Sequence, residues 1–324
     1  MAVSGSKTAK NTMALISYLE SWVKNAEMTL GASLYTIFLC FLFGGNGVAI
    51  KLGLTGLSPF TSAGIRFSMA VVALLLWAWY KKIPLGLTRH QWPLVMIQSF
   101  IFTFQISCFH IGLGKTTASH GALISNVLPF VVLILAHFFI PGDRITFKKS
   151  MGVLLSFIGV VLLFFDEPNL NSDVQKGDMI ILCAVFAWAI SAVFLKRIIS
   201  GFHVLQITMY PMIFSVPFLF LGALIWDDPM IKFVNPTIVK ALLFQSLVTT
   251  AFGFVAWNTM LQRFGATTLH SFIFIIPLSG VFFGVLLLNE PVTSHLLGSI
   301  CFILAGIVVV NIRKRKKNLV FPIQ

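Results

Sequence analysis

Acidic residues are scarce in this chain: ten Asp and Glu among 324 residues, against 23 Lys and Arg. Charged residues of both signs amount to only 10%, where a soluble domain carries about 25%. A chain so poor in charge cannot cover itself in water. Its hydrophobic fraction of 57% and mean hydropathy of +0.93 point to lipid as its main solvent. Cysteine is rare as well. Cys40, Cys108, Cys183 and Cys301 lie far apart inside apolar runs, with no CxxC or Cys/His ligand spacing, so they read as small buried hydrophobes. A glycosylation acceptor is also missing, since Asn235 is followed by Pro236. Residues 1–33 lack the continuous apolar core of a cleavable signal, and the first long hydrophobic run starts near Leu34.

The net charge of +13 raises the question of nucleic acid. Its placement argues against that partner, because Lys and Arg sit between hydrophobic runs and in the tail rather than along an aromatic-studded groove. What the chain does have is 33 Phe and 24 Gly, bulk for lipid contact together with residues that let helices approach closely.

A helix needs about 20 apolar residues to cross the hydrocarbon core. The hydrophobic runs give ten such spans, at about 34–53, 60–80, 92–114, 118–140, 150–166, 178–198, 205–226, 237–261, 266–288 and 294–312. Short connections leave no room for a soluble domain. Ahead of the first span, Leu15, Leu19, Trp22 and Ala26 recur at helical spacing opposite Glu20, Lys24 and Glu27. Residues 1–33 are thus a cytoplasmic segment, either an amphipathic helix on the membrane surface or an unstructured tail.

Basic residues set the orientation. With the N-terminus inside, Lys7, Lys10, Lys24, Lys81, Lys82, Arg89, Arg144, Lys148, Lys149, Lys196, Arg197 and Arg263 are all cytoplasmic. So is the basic run Arg313-Lys314-Arg315-Lys316-Lys317 in the tail 313–324. Only Lys115, Lys176, Lys232 and Lys240 fall outside, so both termini are expected in the cytoplasm and the protein in the cell (inner) membrane.

The chain also repeats itself at an offset of about 145–148 residues. Phe41 and Lys51 fall on Phe186 and Lys196; Lys115, Ala118 and Pro129 fall on Arg263, Ala266 and Pro277; Asp143, Thr146 and Gly159 fall on Glu290, Thr293 and Gly306. Five spans per repeat is an odd number, so the second copy enters from the opposite side. The expected fold is therefore an all-α membrane protein of ten transmembrane helices in two inverted-topology repeats, 34–166 and 178–312.

With these residues in view, the chain resembles the EamA-type, ten-span members of the drug/metabolite transporter superfamily. The resemblance covers roughly residues 34–312. Its marker is a Pro-containing span, an acidic turn and a Gly-containing span, here Pro277 to Leu288, Asn289-Glu290-Pro291-Val292-Thr293 and Gly298 to Val310. The first half carries it less cleanly as Pro141-Gly142-Asp143-Arg144-Ile145-Thr146. A second marker is Arg66-Phe67 in span 2, where the second half departs with Pro211-Met212. The resemblance implies a secondary transporter, an exporter of a small metabolite such as an amino acid, with spans 5 and 10 at the periphery of a central cavity. The alternative is an intramembrane enzyme acting on a lipid or peptide, which needs a catalytic dyad or metal cluster that the sequence does not display.

Polar groups deep in a span are costly unless paired or facing a wet cavity. By estimated depth the substrate-binding candidates are Asn46, Gln105, Asn126, Ser191, Gln245, Thr249 and Trp257, with Gln98, Ser125, Thr250, Asn258, His270 and Ser271 beside them. The plain alternative for each is an interhelical hydrogen bond that only holds the bundle. Trp188 and Trp257 are apolar walls or lipid contacts. Arg66 and Lys51 are placed to snorkel to the outer surface, and His110, His120 and His137 are the titratable groups near neutral pH. Gly44-Gly45-Asn46-Gly47 allows close approach or unwinding, and Gly280 and Gly284 make a small-residue face. All the acids fall in tails, loops or span ends, so no buried carboxylate is expected to drive transport. No cofactor or metal is expected; the partners are a small-molecule substrate and the bilayer.

Overall fold

The computed structural model describes residues 29–139, 147–163, 172–264, 272–273 and 275–311. The 1–28 stretch, the acidic turn at Asp143, His270, Ser271 and the tail 313–324 lie outside the described residues.

The first helix, α1 (Leu30–Leu54), starts where the Thr29 hydroxyl accepts Ala32 N–H at 3.3 Å. α2 (Pro59–Lys81) follows, with Pro at a position whose N–H would be unpaired anyway, and it ends on Lys82 in the left-handed region at φ 53°. α3 (Gln91–Lys115) returns. The fourth hydrophobic run does not form one helix. It is α4 (Ala118–Ser125) and α5 (Leu128–Phe139), broken at Asn126-Val127, with Pro129 in the first turn of α5 where its missing N–H costs nothing. Then come α6 (Phe147–Leu163), α7 (Ser172–Ile198) and α8 (Val204–Trp226). A capping box between His203 and Gln206 opens α8.

The next run is three segments in one line. α9 (Pro236–Leu243) is capped by Asn235; Phe244–Gly253 is wound as a π-helix; α10 (Phe254–Phe264) resumes the α winding. The final pair is α11 (Ile275–Leu288), with Pro277 in its first turn, and α12 (Ser294–Asn311).

Six of these helical stretches are long and apolar enough to cross a membrane: Leu30–Leu54, Pro59–Lys81, Gln91–Lys115, Asp173–Ile198, Val204–Trp226 and Pro236–Met260. Shorter apolar helices cover Ala118–Val132, Ile275–Leu288 and Ser294–Gly306. The outward surface is strongly apolar, with Phe100, Phe138, Phe157, Phe218, Leu224 and Phe282 all exposed. Trp77, Trp79 and Tyr80 cluster at one end of α2 and Trp226 at the opposite end of the bundle, the aromatic placement of a membrane interface. This is a multi-pass membrane protein. Cys183 and Cys301 belong to that exposed surface, so among the cysteines only Cys40 is buried as expected.

We call the Leu30 side the near end and the Leu54 side the far end. α1 packs along α11, α2 along α8, α3 along α7 and α8, α4 along α11, α7 along α4 and α5, and α6 along α12; the π stretch and α9 pack on α1 and α2. The contacts are close because small residues meet. A Cβ on Gly44 would sit 2.3 Å from Ser279 Cβ, and one on Gly280 would sit 2.5 Å from Ala122 Cβ. Close approach, rather than unwinding, is thus what Gly44 provides, and α1 runs unbroken through it.

At the near end, Gln206 donates to the Gly86 carbonyl at 2.9 Å and the Tyr210 hydroxyl to the Leu85 carbonyl at 2.5 Å. At the far end the α1–α2 and α8–α9 turns are joined through the backbone. Ser58 N–H donates to Met230 O at 3.0 Å, Lys232 N–H donates to Gly56 O at 2.8 Å, and Leu57 and Ile231 form an antiparallel bridge. Asp227 reinforces this seam by accepting both Thr61 N–H at 2.6 Å and the Thr61 hydroxyl at 2.8 Å.

Candidate functional site

Two polar seams run through the bundle. The first lies between α1 and the π stretch. The Thr249 hydroxyl donates to Asn46 Oδ1 at 2.8 Å, and Gln245 Nε2 donates to the Ala49 carbonyl at 2.9 Å. Gln245, Ser246, Thr249 and Thr250 are all fully buried. They share a face because the wider π turn, which holds about one residue more than an α turn, groups neighbouring pairs together. Such segments recur at functional sites.

The second seam lies between α3 and α7, where Gln98 Nε2 donates to Ser191 Oγ at 2.7 Å. Gln105 sits two turns along α3 on the same face as Gln98, and its Oε1 is buried without a partner. Of the candidates, the structure therefore joins Asn46, Gln245 and Thr249 in one seam and places Ser191 and Gln105 along the other. Asn126 caps α4 at the helix break, and its amide donates to the Ala122 carbonyl at 3.0 Å. Trp257 stands apart in an apolar cluster with Leu39, Ala256, Met260 and Phe264, edge-on to Phe43 at 5.8 Å. Trp188 is exposed on the bundle surface.

Arg66 departs from its expected place. Only 2% of it is exposed, so it does not snorkel to the surface. Its Nε donates to Thr250 Oγ1 at 2.8 Å and its guanidinium lies 5.1 Å from the Phe67 ring centre. Five buried polar atoms on α2, α3 and the π stretch have no hydrogen-bond partner among the described residues: Ser62 Oγ, Gln98 Oε1, Gln105 Oε1, His110 Nε2 and Gln245 Oε1. In a packed protein most buried polar groups are paired, so these exceptions make the region a candidate site.

Lys51 is only partly buried and reaches toward the far end. Its ammonium donates to the Leu113 carbonyl at 3.0 Å and to the Thr116 carbonyl, placing a positive charge on the unpaired carbonyls that end α3. The N-terminus of α4 beside it receives the opposite treatment: Glu290 accepts Ala118 N–H at 2.7 Å, Ser119 N–H at 2.9 Å and the Ser119 hydroxyl.

The expectation of no buried carboxylate is overturned by Asp178, which is 1% exposed although it stands at a span end in the sequence. Its Oδ1 accepts the Thr116 hydroxyl at 2.5 Å and its Oδ2 lies 2.9 Å from His120 Nδ1. The turn from α3 into α4 folds over it, burying a group that hydropathy alone assigns to the interface. The side chain of His137 lies outside the described residues.

With this geometry in place, comparison with known proteins identifies the kind of molecule. A probable amino-acid metabolite efflux pump of Escherichia coli (strain K12) is 26% identical over 282 residues, covering 84% of this chain and 92% of the relative. An uncharacterized transporter of Archaeoglobus fulgidus is 28% identical over 272 residues, covering 82% and 93%. A solved crystal structure shares the fold with a TM-score of 0.66 at 13% identity, over 87% of this chain and 97% of that one. The sequence profile of the EamA-like transporter family matches twice, over residues 30–165 and 175–312, and the chain belongs to that family.

Proposed function

We propose that this protein is a secondary exporter of a small metabolite, an amino acid or a close chemical relative, working by alternating access of two inverted five-helix halves. The observation that carries the reading is how the helices pack when the halves are exchanged. Let α1, α2, α3, α4–α5 and α6 stand for α7, α8, the α9–α10 line, the span ending in α11, and α12. The α1–α11 contact then becomes the contact of α7 with α4 and α5, and α3–α7 becomes that of the α9–α10 line with α1. The α3–α8 contact becomes α9 and the π stretch on α2, while α2–α8, α4–α11 and α6–α12 map onto themselves. The polar seams correspond as well: Ser191 stands where Asn46 does at an offset of 145, and Gln245 where Gln98 does at 147. Two halves that can trade conformations offer one central site to either side of the membrane in turn.

On this reading the near end faces the cytoplasm, with both termini, and the sites of substrate contact are Asn46, Gln105, Ser191, Gln245 and Thr249. Asn126 at the helix break and Trp257 as an apolar wall complete the lining. The efflux-pump relative supports the direction and the cargo class. No chemical reaction is assigned to the chain.

The test is untargeted metabolite analysis of cells and medium under overexpression and deletion. Outward movement of one solute class in step with expression supports the exporter. A chemically altered membrane lipid or peptide with no solute crossing sinks it in favour of an intramembrane enzyme.

A further inference from the structure

Arg66 presents a problem of unmatched valence. A guanidinium carries five N–H donors and stays charged in any protein environment. Here it is almost wholly buried, donates from Nε to Thr250 Oγ1 at 2.8 Å, and forms no ion pair among the described residues. Contact with the Phe67 ring offsets part of the lost hydration but supplies no acceptor for the terminal nitrogens. A buried charge without a counter-ion is among the most expensive arrangements a protein can hold. A structural arginine would be expected to sit beside a carboxylate, as His120 does with Asp178.

The groups around it are of one kind. His110 is fully buried on α3 and close enough to interact electrostatically with Arg66. Its Nδ1 lies 3.0 Å from the Ile106 carbonyl, which fixes the hydrogen there and leaves the partnerless Nε2 as an acceptor. Ser62 lies one turn from Arg66 on α2. A Cβ on Gly53 would meet both Ser62 Oγ at 3.4 Å and Gln245 Nε2 at 3.2 Å, so these two side chains flank the same glycine. Gln245 has given its amide N–H to α1, and its Oε1 is a second acceptor without a donor. The result is one positive fork with two unmatched acceptors, Gln245 Oε1 and His110 Nε2, and one unmatched hydroxyl, Ser62 Oγ, around it.

We propose that Arg66 docks the carboxylate of a zwitterionic cargo, while Gln245 Oε1 and His110 Nε2 receive N–H donors from its ammonium group. The assignment rests on the export reading and narrows its substrate class. A planar fork suits a carboxylate. A phosphate ester or inorganic phosphate offers acceptors and leaves Gln245 and His110 unmatched, and a simple amine leaves Arg66 unmatched.

The experiment uses the purified full-length chain in detergent and reads ligand-induced stabilisation. The probes are threonine, leucine and phenylalanine, each beside its decarboxylated amine and its deaminated acid, with inorganic phosphate and chloride as further probes. At least one amino acid should stabilise at concentrations about ten- to a hundredfold below those its amine and its acid require, the worth of one charge-assisted contact. Arg66→Gln should erase the preference over the amine and keep the preference over the acid. Thr250→Val, which leaves the charge but removes what aims it, should weaken the preference several-fold. Where Arg66→Gln does not fold, the wild-type comparison and Thr250→Val decide.

Equal stabilisation by amine and amino acid overturns the assignment, as does unchanged preference in Arg66→Gln, stabilisation by phosphate or chloride alone, or no stabilisation by any carboxylate. Export of an uncharged or cationic solute, unaffected by Arg66→Gln, removes this site and leaves the exporter intact. Amino-acid stabilisation with no export from cells does the reverse.

Discussion

Glu290 closes the N-terminus of α4 from 171 residues away, its Oε2 accepting Ser119 N–H at 2.9 Å while its Oε1 takes Ala118 N–H at 2.7 Å. A turn of the second half thereby completes a helix of the first. Glu290→Ala leaves two helix N–H groups and a hydroxyl unsatisfied, for an expected loss of about 1–3 kcal/mol. Glu290→Gln keeps an acceptor and should lose less. Thermal melting of the purified variants measures both, and wild-type melting of Glu290→Ala would contradict the cap.

The buried and exposed acids of α7 should behave differently. Asp173 and Lys176 form an open surface pair 3.7 Å apart, a contact worth about 0–1 kcal/mol. Asp178 holds both Thr116 and His120 out of water, and removing one partner of a buried pair costs about 3–5 kcal/mol. Asp178→Ala should therefore melt well below Asp173→Ala. A cycle of Asp178→Asn with His120→Gln should show coupling of at least about 0.5 kcal/mol; additive effects would mean the pair contributes nothing as a pair.

Glycines within one turn of each other on α1 are not equivalent. Gly44 meets Ser279 at once, and Gly44→Val should prevent α1 from seating on α11, seen as loss of folded protein in size-exclusion profiles. An added Cβ on Gly47 meets nothing within 4 Å. Gly47→Ala should be neutral or stabilise by up to about 1 kcal/mol through helix propensity.

Thr249 and Asn46 form a direct contact between halves. Thr249→Val and Asn46→Ala should each slow export, and the double variant should be no slower than the worse single one, since both break the same bond. Independent, multiplying losses in an export assay would show that the two side chains act separately.

The hydrophobic runs and their turns were legible because lipid demands long apolar segments that any hydropathy reading finds. The acidic turn at Glu290 was legible as a motif, but its partners Ala118 and Ser119 were not, since helix ends from opposite halves meet only in the folded bundle. Arg66 and Asp178 were misplaced for one reason: distance from a span end along the sequence is not depth when neighbouring turns fold over that end. The π winding of Phe244–Gly253 left no trace in the apolar pattern, which looks the same for either winding. The break at Asn126-Val127 has a signal in Pro129 just beyond it, but the apolar run 118–140 is continuous across it and reads as one span.

The far end is shut in two different materials. On the α2–α8 flank, Ser58, Met230, Gly56 and Lys232 are stitched by main-chain groups, which no substitution other than proline removes. On the α4–α7 flank every bond of the closure needs a side chain: Asp178 holds Thr116 and His120, and Glu290 holds the main-chain N–H groups of Ala118 and Ser119. The first behaves as a selvedge and the second as a clasp. Substitution of one side chain can undo the clasp piece by piece, whereas the selvedge resists the same treatment.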